Sequence, residues 1–283
     1  MNKTLRMLIK RKTAFIGAII VLIVIISAFL APFISPHDPN ATDLSKRLLP
    51  PSWEDKGVEE HFLGTDHLGR DILSRIIYGT RISLLVGIAT VLISGIFGTI
   101  LGLIGGYYRG IIDSVLMRLT EIQLAFPFIL LALAIMAVLG PGLKNVIIVL
   151  SITGWVMYTR LVRGEVLLIR ELEYVKATKA LGQKSRKIIF KHILPNVFPT
   201  IIVVGTLRIA NMIIAEASLT FLGLGVESSI PTWGSMLADG RNYITTSWWV
   251  AAFPGIAIML TVLGINLLGD WLRDVLDPRL KTS

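Results

Sequence analysis

The chain has no cysteine among its 283 residues. That excludes disulfides, thiolate nucleophiles and cysteine metal sites, and it leaves the redox compartment open. Charge is scarce too: 17% of residues are charged, against 53% hydrophobic. A soluble fold of this size does not need so much apolar surface, so the composition points to an integral membrane protein. Histidine is limited to His37, His61, His67 and His192, without H-E-x-x-H or H-x-x-x-H spacing. His61 and His67 share one polar connection and are read as solvated loop residues, so no metal site is expected. No G-x-x-x-x-G-K-[ST] loop occurs, which excludes ATP binding by that route. No serine has a nucleophile-elbow context, so no catalytic residue is expected. A membrane-embedded enzyme is the alternative of a different class, and these absences count against it.

What is present is a series of long apolar runs. Six are expected to cross a bilayer as helices, at about 14–33, 82–104, 119–139, 145–161, 197–221 and 248–268. Lys3, Arg6, Lys10, Arg11 and Lys12 precede the first run. The run is too long for a secretory signal and has no clear cleavage site, so it is read as a retained span with its N-terminus in the cytoplasm. The connection 35–80 carries more acids than bases and is expected outside. Pro36, Pro39, Pro50 and Pro51 predict irregular structure in its first half. Asp71 to Ile77 is expected to form a short amphipathic surface helix. The basic residues return at Arg160, Arg163, Arg170, Lys176, Lys179, Lys184, Arg186, Lys187 and Lys191. That excess places the loop 162–195 in the cytoplasm, as does counting spans from the N-terminus. The tail from Asp270 is then cytoplasmic as well. The net charge of +9 therefore follows membrane sidedness, and a nucleic-acid partner is rejected.

Within the second run Ser94, Gly98, Gly102 and Gly106 fall four apart on one ridge. Small residues at that spacing let membrane helices approach closely. Packing within the chain is the plain reading, and a subunit interface is the alternative. Pro127 is expected to kink the third span near its start. Glu121 and Gln123 are read as helix-capping or interfacial residues, with lining of the cytoplasmic mouth as the alternative.

The stretch EYVKATKALGQKSRKIIFKHILP, Glu173 to Pro195, is the most polar insertion between spans. It reads as helix, glycine break, helix. Gly182 is placed to end the first helix in the left-handed conformation, and Ser185 to cap the second. A basic hairpin joined directly to two spans reads as a docking element for a soluble partner.

EYVKATKALG followed by ILPN resembles the cytoplasmic loop of permease subunits from bacterial binding-protein-dependent ABC importers. In that family the loop is a coupling helix that inserts into the ATPase subunit. The usual Glu-Ala-Ala core corresponds to Lys176-Ala177-Thr178, departing at its first and third positions. Ala177 and Gly182 are the anchors carried over; Glu173, Tyr174, Thr178, Leu181 and Pro195 complete the implied ATPase-docking set. Four further segments narrow the resemblance: HFLGTDHLGRDILSRIIYGTRISL (His61 to Leu84), AEASLTFLGLG (Ala215 to Gly225), PTWGSMLADGRN (Pro231 to Asn242) and GDWLRDVLDPRLK (Gly269 to Lys281). Together they are similar to the second, C-type permease of dipeptide, oligopeptide and nickel importers. The resemblance implies an all-α integral membrane fold of type I ABC importer permease architecture, with six transmembrane helices, both termini cytoplasmic, in the bacterial plasma (inner) membrane. It implies a heterodimer with a second homologous permease, two ABC ATPase subunits holding ATP and Mg, and an extracellular or periplasmic substrate-binding protein. No cofactor is expected on this chain. The implied function is passage of short peptides, with nickel or a nickel chelate as the alternative cargo.

The charged and amide residues within the fifth run are Arg208, Asn211 and Glu216. A charge at mid-membrane costs from about 2.5 kcal/mol upward and faces a cavity or a partner. Arg208 and Glu216 are eight apart, roughly 12 Å along a helix, too far to pair directly. Two readings stay open: anchoring by neighbouring helices, or a translocation path in which Arg208 attracts a peptide carboxylate.

Overall fold

The computed structural model describes residues 11–227 and 229–276. Among these residues it is helical, with no strand and a single isolated bridge between Thr65 and Asp71. Five helices are long and apolar enough to cross a membrane, or six if one sharply bent pair counts as one span. The all-helical membrane architecture expected from the sequence is thus borne out. Lys3, Arg6, Lys10 and the chain beyond Leu276 lie outside the described residues, including the end of the Gly269 to Lys281 segment.

The first helix, α1, is Lys12–Ile34. It packs on the last helix, α10, Trp249–Leu276, where Gly17 and Gly264 face each other: a Cβ on Gly17 would lie 2.7 Å from Leu267 Cβ. The far side of α1 keeps Phe29 and Phe33 exposed, as suits a lipid or partner surface.

Helix α2 is Ile72–Tyr108. At 1.5 Å per residue it is about 55 Å long, well beyond a hydrocarbon core of about 30 Å. The expected surface helix at Asp71 to Ile77 is corrected here: it is the first two turns of α2. Asp71 caps the helix by accepting from the Ser74 N–H at 2.7 Å, and no breaker follows before the apolar run.

The glycine ridge of α2 packs on α5, Leu143–Ile169, within the chain. A Cβ on Gly98 would lie 2.5 Å from the Trp155 carbonyl oxygen, one on Gly102 2.7 Å from that of Thr159, and one on Gly106 2.8 Å from Val166 Cβ. Thr159 Oγ1 donates to the Gly98 carbonyl at 3.0 Å, so the approach is hydrogen-bonded as well as close. Ser94 continues the ridge against Gly154.

The third span differs most from expectation. It is not a kinked helix over 119–139 but two helices, α3 (Gly110–Leu124) and α4 (Phe128–Leu139), bent by 86°. Proline lacks the N–H that would continue the helix and drives the preceding residue, Phe126, toward extended conformations. The segment between the second and third apolar runs, Tyr107 to Arg118, is correspondingly mostly helix. Gln123 is neither a cap nor a solvated residue: it accepts from Trp155 Nε1 at 2.9 Å and donates to the Thr153 carbonyl at 2.8 Å, fastening α3 to α5 beside the bend.

The helices flanking the basic hairpin also overrun the expected bounds. Helix α5 continues past 161 to Ile169 because Val162, Val166 and Ile169 keep to its buried ridge. The hairpin itself holds α6, Glu173–Ala180, and a single turn α7, Ser185–Ile188. A π-helical turn at Ile189–Ile193 then leads without a break into α8, Leu194–Phe221. The connection expected over 162–195 is therefore largely helical, its first residues continuing α5 and its last leading into α8. Ser185 is not the cap: Lys184 occupies that position, with no side-chain capping bond, and Ser185 is the first helical residue.

At the other end of the bundle the connection after α1 folds onto the start of α2 and onto a short helix α9, Trp233–Gly240. Thr232 and Ser235 close a capping box at the start of α9. Asp66 binds Arg70 Nε at 2.6 Å and Arg75 Nε at 3.6 Å, and Arg70 also reaches Asp239 of α9 at 3.0 Å. Asp66, Arg70 and Arg75 are buried and lie against one another, which ties the proline-rich connection to α2 and α9.

Candidate functional site: the basic hairpin and its seat

Helix α6 is only eight residues long, too short to be stable alone. Its one buried residue is Val175. That side chain belongs to one buried aliphatic cluster with Val162, Val166 and Ile169 of α5 and Ile188, Ile189 and Ile193 of the second arm. Burying a valine contributes about 1.5–3 kcal/mol. Helix α6 is thus plugged by one aliphatic side chain, beside Ile188 of the second arm, into the junction of α5 and α8.

Polar contacts add a second fastening, to the end of α2. Arg170 donates to the Tyr107 carbonyl at 2.5 Å and lies over the Tyr107 ring. Arg109 pairs with Glu171 at 3.0 Å, and Lys176 of α6 reaches Glu171 at 2.9 Å. The Lys176 hydrogen bond, and then its charge, holds the Glu171 carboxyl below the usual carboxylate range. Asp113 of α3 takes Arg163 of α5 in a two-pronged ion pair at 2.5 and 2.6 Å. No local sequence pattern marked Val175 or the Asp113–Arg163 pair as different from their neighbours.

The expected docking residues fall as follows. Glu173 opens α6 and is exposed. Tyr174 is exposed, with its hydroxyl accepting from Asn196 Nδ2 at 3.2 Å, which draws it toward Pro195 at the head of α8. Ala177 is exposed. Thr178 is half-buried and donates to the Val175 carbonyl at 2.7 Å. Leu181 is 86% exposed, an isolated apolar side chain at the hairpin tip. Gly182 has φ +76°, the left-handed conformation expected of it, and its N–H donates to the Lys179 carbonyl at 3.0 Å. The buried Val175 side and the exposed Ala177–Leu181 side give the hairpin a seated face and a free face.

The π turn has a local cause. Pro195 has no N–H to return to the carbonyl four residues earlier, so the backbone there takes a wider turn. It lies where the hairpin's second arm becomes α8.

Arg208, Asn211 and Glu216 of α8 do not share one face. Glu216 is fully buried, accepting from Thr220 Oγ1 at 2.9 Å and Ser83 Oγ at 3.3 Å. Asn211 is exposed and donates to the Leu207 carbonyl. Arg208 is half-buried, makes no ion pair among the described residues, and has Tyr158 as its electrostatic neighbour. Tyr158 points its buried, unpartnered hydroxyl toward Gly205, one turn before Arg208. An apolar cavity of about 590 Å³ lies there between α2 and α8, lined by Gly95, Thr99, Tyr158, Phe198 and Gly205 among others.

Comparison with known proteins adds a separate line. Residues 98–282 match the family described as binding-protein-dependent transport system inner membrane component. Residues 1–51 match the N-terminal TM domain of oligopeptide transport permease C. The chain is 47% identical over 281 residues to the dipeptide transport system permease protein DppC of Alkalihalophilus pseudofirmus, covering 99% of this chain and 90% of the relative. It is 44% identical over 272 residues to the di/tripeptide transport system permease protein DppC of Pseudomonas aeruginosa, covering 96% and 90%. It is 41% identical over 263 residues to the probable D,D-dipeptide transport system permease protein DdpC of Escherichia coli, covering 93% and 86%.

Proposed function

This chain belongs to the family of binding-protein-dependent transport system inner membrane components, and we propose that it passes short peptides as the C-type permease of an ATP-driven importer. It is a transport subunit and not an enzyme; ATP hydrolysis belongs to partner chains. The relatives named above carry peptide names, which favours peptides over the nickel alternative. The partners are a second homologous permease, two ATPase subunits holding ATP and Mg, and a substrate-binding protein. The basic hairpin end of the bundle, with both termini, faces the cytoplasm, and the acidic connection after α1 faces outside.

The observation that carries the mechanism is the seat of the hairpin. Its free face, Glu173, Tyr174, Ala177 and Leu181 with the turn at Gly182, docks on the ATPase. Its seated face holds α5 and α8 through Val175. Closure of the ATPases on ATP therefore displaces two spans together and biases the bundle between inward-open and outward-open states.

Ala177 is small where a partner backbone must come close. In the purified full complex, Ala177→Trp is expected to lower ATPase recovery about tenfold, the scale of one overpacked contact. The helical content of the permease should not change, because the Ala177 side chain faces away from the bundle. Undiminished recovery, or an active single-chain transporter, would remove this reading.

Arg208 has no ion-pair partner among the described residues and follows Gly205, which lines the apolar cavity, by one turn. It lines the translocation path and attracts the peptide carboxylate. Losing one charge-assisted hydrogen bond costs about 1.5–3 kcal/mol, so Arg208→Ala should slow dipeptide uptake by reconstituted vesicles about 10- to 100-fold. Assembly with the other subunits should persist. Uptake at the parent rate in an intact complex would rule Arg208 out of the path.

A further inference from the structure

We propose that His37, Glu60 and His61 form a binding site for a divalent transition-metal ion, in the connection between α1 and α2. One donor atom from each of the three residues lies within 4.8 Å of the others. His37 follows Pro36 just beyond α1, and Glu60 and His61 lie in the turn that leads to Gly64. The two imidazole centroids are 4.8 Å apart with planes tilted by 42°.

The state of His61 carries the argument. It is only 5% exposed, so its reading as a solvated loop residue is corrected. Its Nδ1 lies 3.0 Å from Asp71 Oδ1 and donates to it. The nitrogen left to offer is Nε2, which is buried and has no partner. A buried acceptor without a hydrogen bond costs about 1–3 kcal/mol, so an occupant opposite Nε2 is favoured. A carboxylate holding the far nitrogen is the arrangement that orients a metal-ligating imidazole and raises its basicity.

The other two residues are poised in a compatible way. His37 Nε2 lies 2.8 Å from the Glu60 carbonyl oxygen, and donation there leaves Nδ1 with a free lone pair. The Glu60 carboxylate meets Lys46 Nζ at 2.7 Å, in a solvent-facing pair. Such pairs contribute little, so a metal ion displaces the ammonium at small cost. Two imidazoles and one carboxylate suit zinc or nickel better than magnesium or calcium, and leave a fourth position for water.

A second group, Asp66, His67 and Asp239, is equally compact. Its carboxylates are taken by Arg70 and Arg75, whose charges oppose a cation, so that group carries no site. The proposed ion would join the segment after α1 to the Glu60–Asp71 turn. Through Asp71 it would also steady the cap of α2. It is a resident ion and not cargo.

The test uses the full complex, purified without a histidine tag, stripped with chelator and titrated with zinc. One zinc per copy of this chain is expected, with His37→Gln and Glu60→Gln each weakening it at least about tenfold, a loss typical of a disturbed site. His67→Gln should bind as the parent does. Cobalt in place of zinc should give the visible absorption of a low-coordinate nitrogen and oxygen site, lost in His37→Gln. Thermal melting shows that each variant is folded. Absence of bound zinc, or binding unchanged by both His37→Gln and Glu60→Gln, would overturn the proposal.

Discussion

Replacing Val175 with aspartate is expected to disconnect ATP hydrolysis from transport. Helix α6 holds to the bundle by this one buried side chain, and the seat around it is aliphatic. A carboxylate placed there has no cation within the cluster. An uncompensated buried charge costs about 3–5 kcal/mol, more than the roughly 1.5–3 kcal/mol that the valine contributes. The hairpin is then more stable lifted off its seat than plugged into it. The α2–α5 contact keeps its close backbone approach and the Thr159 hydrogen bond to Gly98 when the hairpin lifts, although Val162 and Val166 belong to both contacts. The expected result is a complex that assembles and retains helical circular dichroism. It hydrolyses ATP at a basal rate and transports dipeptide at least about tenfold more slowly, the kinetic equivalent of some 1.4 kcal/mol or more. Val175→Ile keeps the knob apolar and should transport nearly as the parent does. A complex carrying Val175→Asp with full transport would show that the seat does not transmit the movement.

The hairpin also shows where sequence reasoning reached and where it stopped. Gly182 was legible because a glycine after a helical run has one common use, and its φ of +76° is that use. The glycine ridge of α2 was legible because the four-residue spacing of Ser94, Gly98, Gly102 and Gly106 is periodic by itself. The fold class followed from the apolar runs. Val175 was not legible: its role depends on which face of a short helix meets α5 and the second arm, and that is a tertiary fact. The 86° break was announced by Pro127, but a proline states only that the helix is interrupted and not by how much. The joining of Asp71–Ile77 to α2 was hidden by composition, because polar residues at a helix start resemble a separate amphipathic segment. The burial of His61 depended on Asp71 and Ser74 coming together around the helix cap. Sequence spacing alone offered His67 as its companion, and the chain brought His37 instead.

Gly102→Leu is expected to force α2 and α5 apart. A Cβ at this position would lie 2.7 Å from the Thr159 carbonyl oxygen and 2.8 Å from Val162 Cβ. The first is backbone of α5, which cannot turn aside as a long side chain can. Helices α2 and α5 must therefore separate, and separation also stretches the Thr159 hydroxyl bond to the Gly98 carbonyl. Inside a bilayer there is little hydrophobic force to hold the pair together, because lipid tails are as apolar as leucine; close packing and interhelical hydrogen bonds do that work. Overpacking costs about 1–3 kcal/mol in a core that can adjust, and this contact has backbone on its far side. The consequence reaches the hairpin. Val162 and Val166 sit on the same stretch of α5 that meets Gly102 and Gly106, and both also line the seat of Val175. Gly102→Leu should therefore lower the Tm of the detergent-solubilised subunit by several degrees, at about 2–4 °C per kcal/mol for a chain of this size, and reduce recovery of the complex. Gly164→Ala is the matched control on α5, since a Cβ there meets nothing within 4 Å. It should leave the Tm unchanged or slightly higher, as alanine favours helix over glycine by about 1 kcal/mol. Equal Tm values for Gly102→Leu and the parent would mean that the α2–α5 contact is not as close as the backbone places it.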